Sequence, residues 1–394
     1  MGLRKARIAT RSALLFALVA VLVLFMFAAT ALAADEQAQA GQGAGVKNVI
    51  VMIADGTGYN MFLAGDYYQN GKAKSQVYER FPVSYAVSTW PAGGGYDPLR
   101  YWTDFQYPMG WNTYNVTESN MAASAMATGV KCQAGVGVDV NLKRVTNIME
   151  VAEVAGKATG VVSTQSFSEA TPAGFSAHAT DRKALKAITE QQLKESKLDV
   201  VMGAYNPFYN LNGEKQETGT FDAKNKLLWN EATWTDLVAG KIGNDADGDG
   251  TVEYWDLVES RADFQALATG ETPERVAGVV QVGGDATLGS GYTQFYRTGA
   301  DTSAIAGEAP FTVPLLETSP TLTEMSLAAI NVLDADPDGF VLMIEGANVD
   351  YGNHFGWLGR ALEELIDFNA AVEAVNEWVE TNSNWGETLL IVTA

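Results

Sequence analysis

The sequence predicts an α/β fold: a mostly parallel central sheet with helices on both faces. Two observations predict it. Short, continuous apolar runs recur along the chain, and segments of helical period lie between them. Continuous rather than alternating apolar strands suit a sheet covered on both sides, and strands alternating with helices suit parallel pairing. In chain order the runs are Val46–Ile53, Thr159–Ser163, Val200–Met202, Val279–Val282, Phe340–Ile344 and Thr388–Val392. Among the helical segments, Leu362–Val379 places Leu362, Leu365, Ile366, Ala371, Val372, Val375 and Val379 on one stripe. A Gly-, Pro- and aromatic-rich stretch near 91–111 reads as a surface loop, and residues 204–256 read as a second insertion.

The first 33 residues stand outside this pattern. Arg4, Lys5, Arg7 and Arg11 precede an uncharged apolar run from Ala13 to Ala29, and Ala31-Leu32-Ala33 follows. That order predicts a cleaved secretory signal, with 34–45 a polar linker and 46–394 the folded domain. An uncleaved anchor is the other reading, although the run falls short of the ~20 residues a span prefers. The expected location is periplasmic or extracellular. Without residues 1–33 the chain keeps 22 Lys and Arg against 47 Asp and Glu, a formal charge of −25. Such a surface disfavours nucleic acid and anionic membranes. Cys132 is the one cysteine, which excludes an intramolecular disulfide and a thiolate metal cluster.

In parallel sheets, ligands gather beyond the carboxyl ends of the strands. Asp55 follows the first run, Glu169 and Thr171 follow the second, and Glu345, Asp350 and His354 follow Phe340–Ile344. Three strand ends thus carry hard oxygen donors, one with an imidazole beside them. The segment Thr117-Glu118-Ser119-Asn120-Met121-Ala122-Ala123-Ser124-Ala125-Met126-Ala127-Thr128-Gly129-Val130-Lys131 is dominated by small residues. A helix starting at Ser119 would set that hydroxyl beside unpaired N–H groups, where phosphate is also favoured. Taken alone, a serine before an alanine-rich helix is an ordinary cap.

This segment resembles, without a gap, the alkaline phosphatase signature T-D-S-A-A-S-A-T-A-x-x-T-G-V-K. Glu118 stands for the usual aspartate, Asn120-Met121 for two alanines and Ser124 for a threonine. The resemblance makes Ser119 the serine that is phosphorylated. It extends to Lys47–Gly58, similar to an opening strand and G-D-G-M-G turn, and to Thr164–Arg182, similar to T-x-x-x-x-D-A-T-P-A…A-H-x-x-x-R. Glu345–His354 is similar to E-G-A-x-I-D-x-x-x-H. By resemblance, Asp55 bridges a zinc and a magnesium, Thr171 and Glu345 complete the magnesium site, and Asp350 and His354 hold a Zn²⁺. Arg182 grips the phosphate, Glu169 and Tyr351 stand behind the ligands, and His178 is a structural hydrogen-bonding residue. The activity implied is hydrolysis of small phosphate monoesters through a phosphoserine, with two Zn²⁺ and one Mg²⁺ and with a homodimer as the expected assembly.

Thr388–Ala394 is similar to the family's strand leading into T-A-D-H and ends before the Asp-His pair. The expectation is a sheet incomplete at its C-terminus and a fragment inactive by itself. Asp245, Asp247, Asp249, Glu253 and Asp256, with Gly250 at position 6, have the spacing of a Ca²⁺-wrapping loop; an acidic surface turn explains them equally. The rival functions are a phosphodiesterase or sulfatase of the same superfamily, and a non-catalytic secreted calcium-binding protein.

Overall fold

The computed structural model describes residues 45–94, 97–103, 116–221, 228–246, 250–285, 290–291, 309–312 and 315–394. The expected signal segment, most of the linker, Asp247 and Asp249 lie outside these residues. Lys47–Ala394 form one compact unit.

Ten strands occur among the described residues: β1 (Asn48–Ala54), β2 (Ala158–Ser163), β3 (Val200–Gly203), β4 (Gly243–Asn244), β5 (Glu253–Val258), β6 (Arg275–Val279), β7 (Gly284–Asp285), β8 (Ser290–Gly291), β9 (Phe340–Gly346) and β10 (Thr388–Thr393). Eight of them make one sheet in the order β10-β1-β9-β2-β3-β6-β5-β4, parallel except where β4 meets β5; β7 and β8 pair separately. Six of these strands coincide with or overlap the apolar runs. The run Val279–Val282 is displaced: its strand is Arg275–Val279, and the chain leaves the ladder where the Val282 N–H bonds back to the Val280 carbonyl. The 204–256 region is less irregular than expected, holding a helix at Glu231–Val238 as well as β4 and β5.

Both faces of the sheet are covered because successive side chains alternate. Ile50, Met52 and Ala54 of β1 join Phe340, Leu342 and Ile344 of β9 in one core, roofed by helices Leu322–Leu333 and Leu358–Asn382. Ile53, Val341 and Met343 face the other way, toward helices Ser119–Thr128, Ile148–Val154 and Ala170–Ser176. In the Leu358–Asn382 helix, Leu365, Phe368, Val372, Val375 and Val379 are fully buried at helical spacing. Each contributes roughly 1.5–3 kcal/mol of burial.

The two edges of the sheet differ. At the amino edge the strands are fastened by polar contacts: Thr159 N–H to Asp199 Oδ2 at 2.7 Å, Arg275 Nε–H to the Leu198 carbonyl at 2.9 Å and Asn48 Nδ2–H to Thr388 Oγ1 at 3.2 Å. At the carboxyl edge, β1, β2 and β9 end side by side, in register Ile53–Glu345–Ser163. That edge carries the predicted site.

Candidate active site

Ser119 is the first residue of its helix, and Glu118, in extended conformation, precedes it as the cap residue with no capping hydrogen bond from its side chain. Ser119 is therefore not the capping serine. Its hydroxyl donates instead to Asp55 Oδ2, at 2.9 Å, across 64 residues of sequence. The small residues of this helix serve close approach. A methyl on Gly174 would lie 2.7 Å from Ala123 Cβ, so the Ser119 and Ala170–Ser176 helices pack backbone against backbone. That contact brings Thr171 under the same strand ends.

Asp55 leaves β1 through Gly56, whose φ of +65° is left-handed. A Cβ there would sit 2.3 Å from Asp350 Oδ1, so the turn and Asp350 can stand this close only with glycine between them. Burial, and then the Asp350 charge, push the Asp55 carboxyl up to about 6 against the Ser119 hydrogen bond. Glu345 is 2% exposed and is pushed up to about 8 by burial and then by Asp55. Ser163 Oγ–H donates to Glu345 Oε2 at 2.6 Å, and Thr171 also hydrogen-bonds this carboxylate. Asp350 Oδ2 lies 3.2 Å from His354 Nε2, one helical turn on, and this hydrogen bond raises the imidazole's affinity for its proton.

Arg182 completes the cluster. Its Nη1 lies 3.2 Å from Glu118 Oε2 and 3.4 Å from Asn120 Oδ1, and its Nη2 lies 3.8 Å from Glu169 Oε2. Burial raises the Glu169 carboxyl, and Arg182 opposes that. Glu118, Asn120 and Arg182 also line a cavity of about 180 Å³ with Met121, Gly135 and Asp181. Tyr351 is on the Asn348–His354 helix with its ring 6.5 Å from the His354 imidazole. His178 hydrogen-bonds the Gly137 carbonyl at 2.7 Å and stands 3.2 Å from Glu150.

The described residues contain no group of three His, Cys, Asp or Glu side chains gathered tightly enough for one ion. The donors come as pairs, Asp55 with Glu345 and Asp350 with His354, and a further donor, Thr171, is a hydroxyl. The donor set still fits hard cations. Asp55, whose carboxyl is raised by Asp350, and Glu345, whose carboxyl is raised by Asp55, form a site short of positive charge, and oxygens with one imidazole suit Mg²⁺ and Zn²⁺. The acidic loop fits less well. Glu253 and Asp256 lie in β5, where Glu253 accepts from the Ala246 N–H at 2.7 Å. Three residues apart on a strand, their side chains point to opposite faces, so they do not converge as loop positions 9 and 12 would.

Sequence reasoning missed Ser163 and Asn120. Ser163 closes an apolar strand, and Asn120 occupies an alanine position of the signature; neither contact has a sequence period.

A family model described as alkaline phosphatase matches residues 46–394. The chain belongs to the alkaline phosphatase family. This is a family of phosphomonoester hydrolases. Among its relatives, alkaline phosphatase H of Pseudomonas aeruginosa is 29% identical over 88% of this chain and 68% of its own length. Alkaline phosphatase 3 of Bacillus subtilis is 27% identical over 89% of this chain and 60% of its own. The Escherichia coli alkaline phosphatase is 27% identical over 88% and 69%. The chain therefore spans about two thirds or less of the length of these relatives. Among solved structures, the cold-active alkaline phosphatase of Shewanella sp. superposes with a TM-score of 0.59 at 24% identity, covering 88% of this chain and 67% of that one. The alkaline phosphatase of the Antarctic bacterium TAB5 gives 0.57 at 22%, covering 89% and 79%. These likenesses establish the alkaline phosphatase fold for the sheet described above. No helix among the described residues is long and apolar enough to cross a membrane.

Proposed function

We propose that this protein hydrolyses phosphate monoesters by way of a phosphoserine on Ser119. The observation that carries the reading is the Ser119 hydroxyl held at 2.9 Å from Asp55, at the start of a helix, with Arg182 fixed by Glu118 on the residue beside it. The helix N-terminus favours the negative charge of an incoming phosphoryl group. Asp55 accepts the hydroxyl hydrogen bond and so turns a serine lone pair outward, toward the phosphorus. The serine oxygen gives up its proton and bonds to phosphorus as the alcohol oxygen departs with the ester's bonding pair and takes up a proton in its place. The Arg182 guanidinium, with two N–H groups in one plane, suits the equatorial phosphoryl oxygens. Water then cleaves the serine ester, returning Ser119 and releasing inorganic phosphate.

Asp55, Thr171 and Glu345 would hold Mg²⁺, and Asp350 and His354, beside Asp55, would hold Zn²⁺. Bound there, the cations supply Lewis-acid stabilisation of oxyanions and a more acidic water. Glu169 and Tyr351 orient their neighbours rather than ligate. The substrates are small phosphate monoesters met outside the cytoplasm, consistent with the basic-then-apolar N-terminus and the acidic surface. Phosphate release from 4-nitrophenyl phosphate, assayed in a chain extended through the family's T-A-D-H segment, tests the reading: Ser119→Ala lowers kcat by at least about 10³-fold, as for other lost nucleophiles. Turnover unchanged in that variant removes Ser119 from the reaction. Parallel assays with a phosphate diester and a sulfate ester separate the two superfamily rivals.

A further inference from the structure

Asn120 is 2% exposed, yet it sits one residue past the nucleophile on the first turn of its helix. Its amide is oriented by one strong contact: Nδ2–H donates to the Gly135 carbonyl at 2.6 Å. Oδ1 is thereby turned toward Arg182, 3.4 Å from Nη1. The segment that supplies the Gly135 carbonyl is joined to the segment that carries Arg182, because Val136 and Ala179 form an antiparallel bridge. One side chain thus links the nucleophile's helix, the segment after it and the guanidinium.

The charges around Arg182 give this link a purpose. Glu118 and Glu169, which also reach Arg182, are acids, and Asp55 lies close enough to feel its charge. Carboxylates hold a guanidinium firmly, but each also repels an arriving phosphate dianion. A neutral amide restrains the same cation without that repulsion. Resting on the reading of Arg182 as the phosphate-binding cation, we propose that Asn120 is a positioning residue. It acts through Arg182 to fix the guanidinium relative to Ser119, and thereby sets the affinity for phosphate.

The test combines Asn120→Ala and Asn120→Asp with Arg182→Ala. Inhibition by inorganic phosphate, kcat/KM for 4-nitrophenyl phosphate and the melting temperature are measured for each variant. Asn120→Ala raises the phosphate inhibition constant roughly 10-fold, the scale of one hydrogen bond to a charged group. Asn120→Asp keeps the side chain's shape but loses the donor to the Gly135 carbonyl, and raises the constant further because another acid faces Arg182. With Arg182→Ala already present, Asn120→Ala changes the constant by no more than about twofold, since coupled residues are non-additive. An equal effect of Asn120→Ala in both backgrounds would show a general structural role and overturn the proposal. So would an unchanged constant in Asn120→Ala when Arg182→Ala raises it strongly. If Arg182→Ala itself leaves phosphate inhibition unchanged, the reading of Arg182 falls and the proposal falls with it.

Discussion

Gly56→Ala is the sharpest test of the turn that brings Asp55 against Asp350. At φ +65° an alanine incurs left-handed strain of roughly 1–2 kcal/mol. Its methyl would lie 2.6 Å from the Asp350 Cα, where carbon atoms ordinarily stand about 3.5–4.0 Å apart. Because the clashing atom belongs to the backbone, no side-chain rotation relieves it, and the Asp350 helix must retreat by about 1 Å. A misplacement of that size costs about 10²-fold in rate when it separates groups acting on one substrate. The assay is kcat/KM for 4-nitrophenyl phosphate, with the melting temperature measured alongside. The expected outcome is a loss near 100-fold with a melting point lowered by only several degrees. Gly58→Ala is the control: it follows in the same loop, its φ is −116°, and nothing lies within 4 Å of the added methyl. Activity within twofold of wild type in Gly56→Ala would refute the close Asp55–Asp350 arrangement as a requirement for function.

Three further outcomes follow from the same geometry. Glu345, pushed up to about 8, is protonated below that pH in the metal-free protein, so Mg²⁺ must displace a proton. Calorimetric Mg²⁺ affinity rises up to about 10-fold per pH unit from 6 to 8; a flat profile would remove Glu345 from the ligands. Asp199 is pushed up to about 7, chiefly by burial, from a usual value of 3.8. Below the unfolded value both states hold the proton; between the two values only the folded state does. Stability therefore falls as pH rises from about 4 to 7, by at most about 1.4 kcal/mol per unit, and Asp199→Asn flattens that slope in urea unfolding. Because Glu253 and Asp256 face opposite sides of β5, Asp256→Asn leaves the melting temperature in 1 mM Ca²⁺, roughly the affinity range of extracellular modules, unchanged relative to wild type. A Ca²⁺-dependent difference between the two would restore the wrapped loop.

The sheet was readable from sequence because its strands are buried on both faces, and such strands write themselves as unbroken apolar runs. β5 was not, since Tyr254 and Asp256 are exposed while Trp255 is buried, and its acids were absorbed into a loop spacing. The candidate site residues were legible for a different reason: each follows a strand end, where the topology brings chain-distant residues together. What periodicity cannot carry is a contact between two side chains from different segments. Asn120 and Arg182, 62 residues apart, and Ser163 and Glu345, 182 apart, meet only once the strands are in register. The Glu118 substitution likewise acquires meaning only from its 3.2 Å approach to Arg182.

The contrast between the two edges of the sheet bears on how such an enzyme can be altered. Asp199, Arg275 and Asn48 fasten the strands at one end, while Asp55, Thr171 and Glu345 gather at the other. The intervening strand length, about 20 Å for a six-residue strand, separates them by more than two screening lengths in physiological salt. A library confined to the fastening end can therefore search for heat tolerance while leaving turnover untouched. One confined to the opposite end can search for new esters on an undisturbed chassis. Gains from the two searches should combine by simple addition, which makes this sheet a scaffold with two separately adjustable dials.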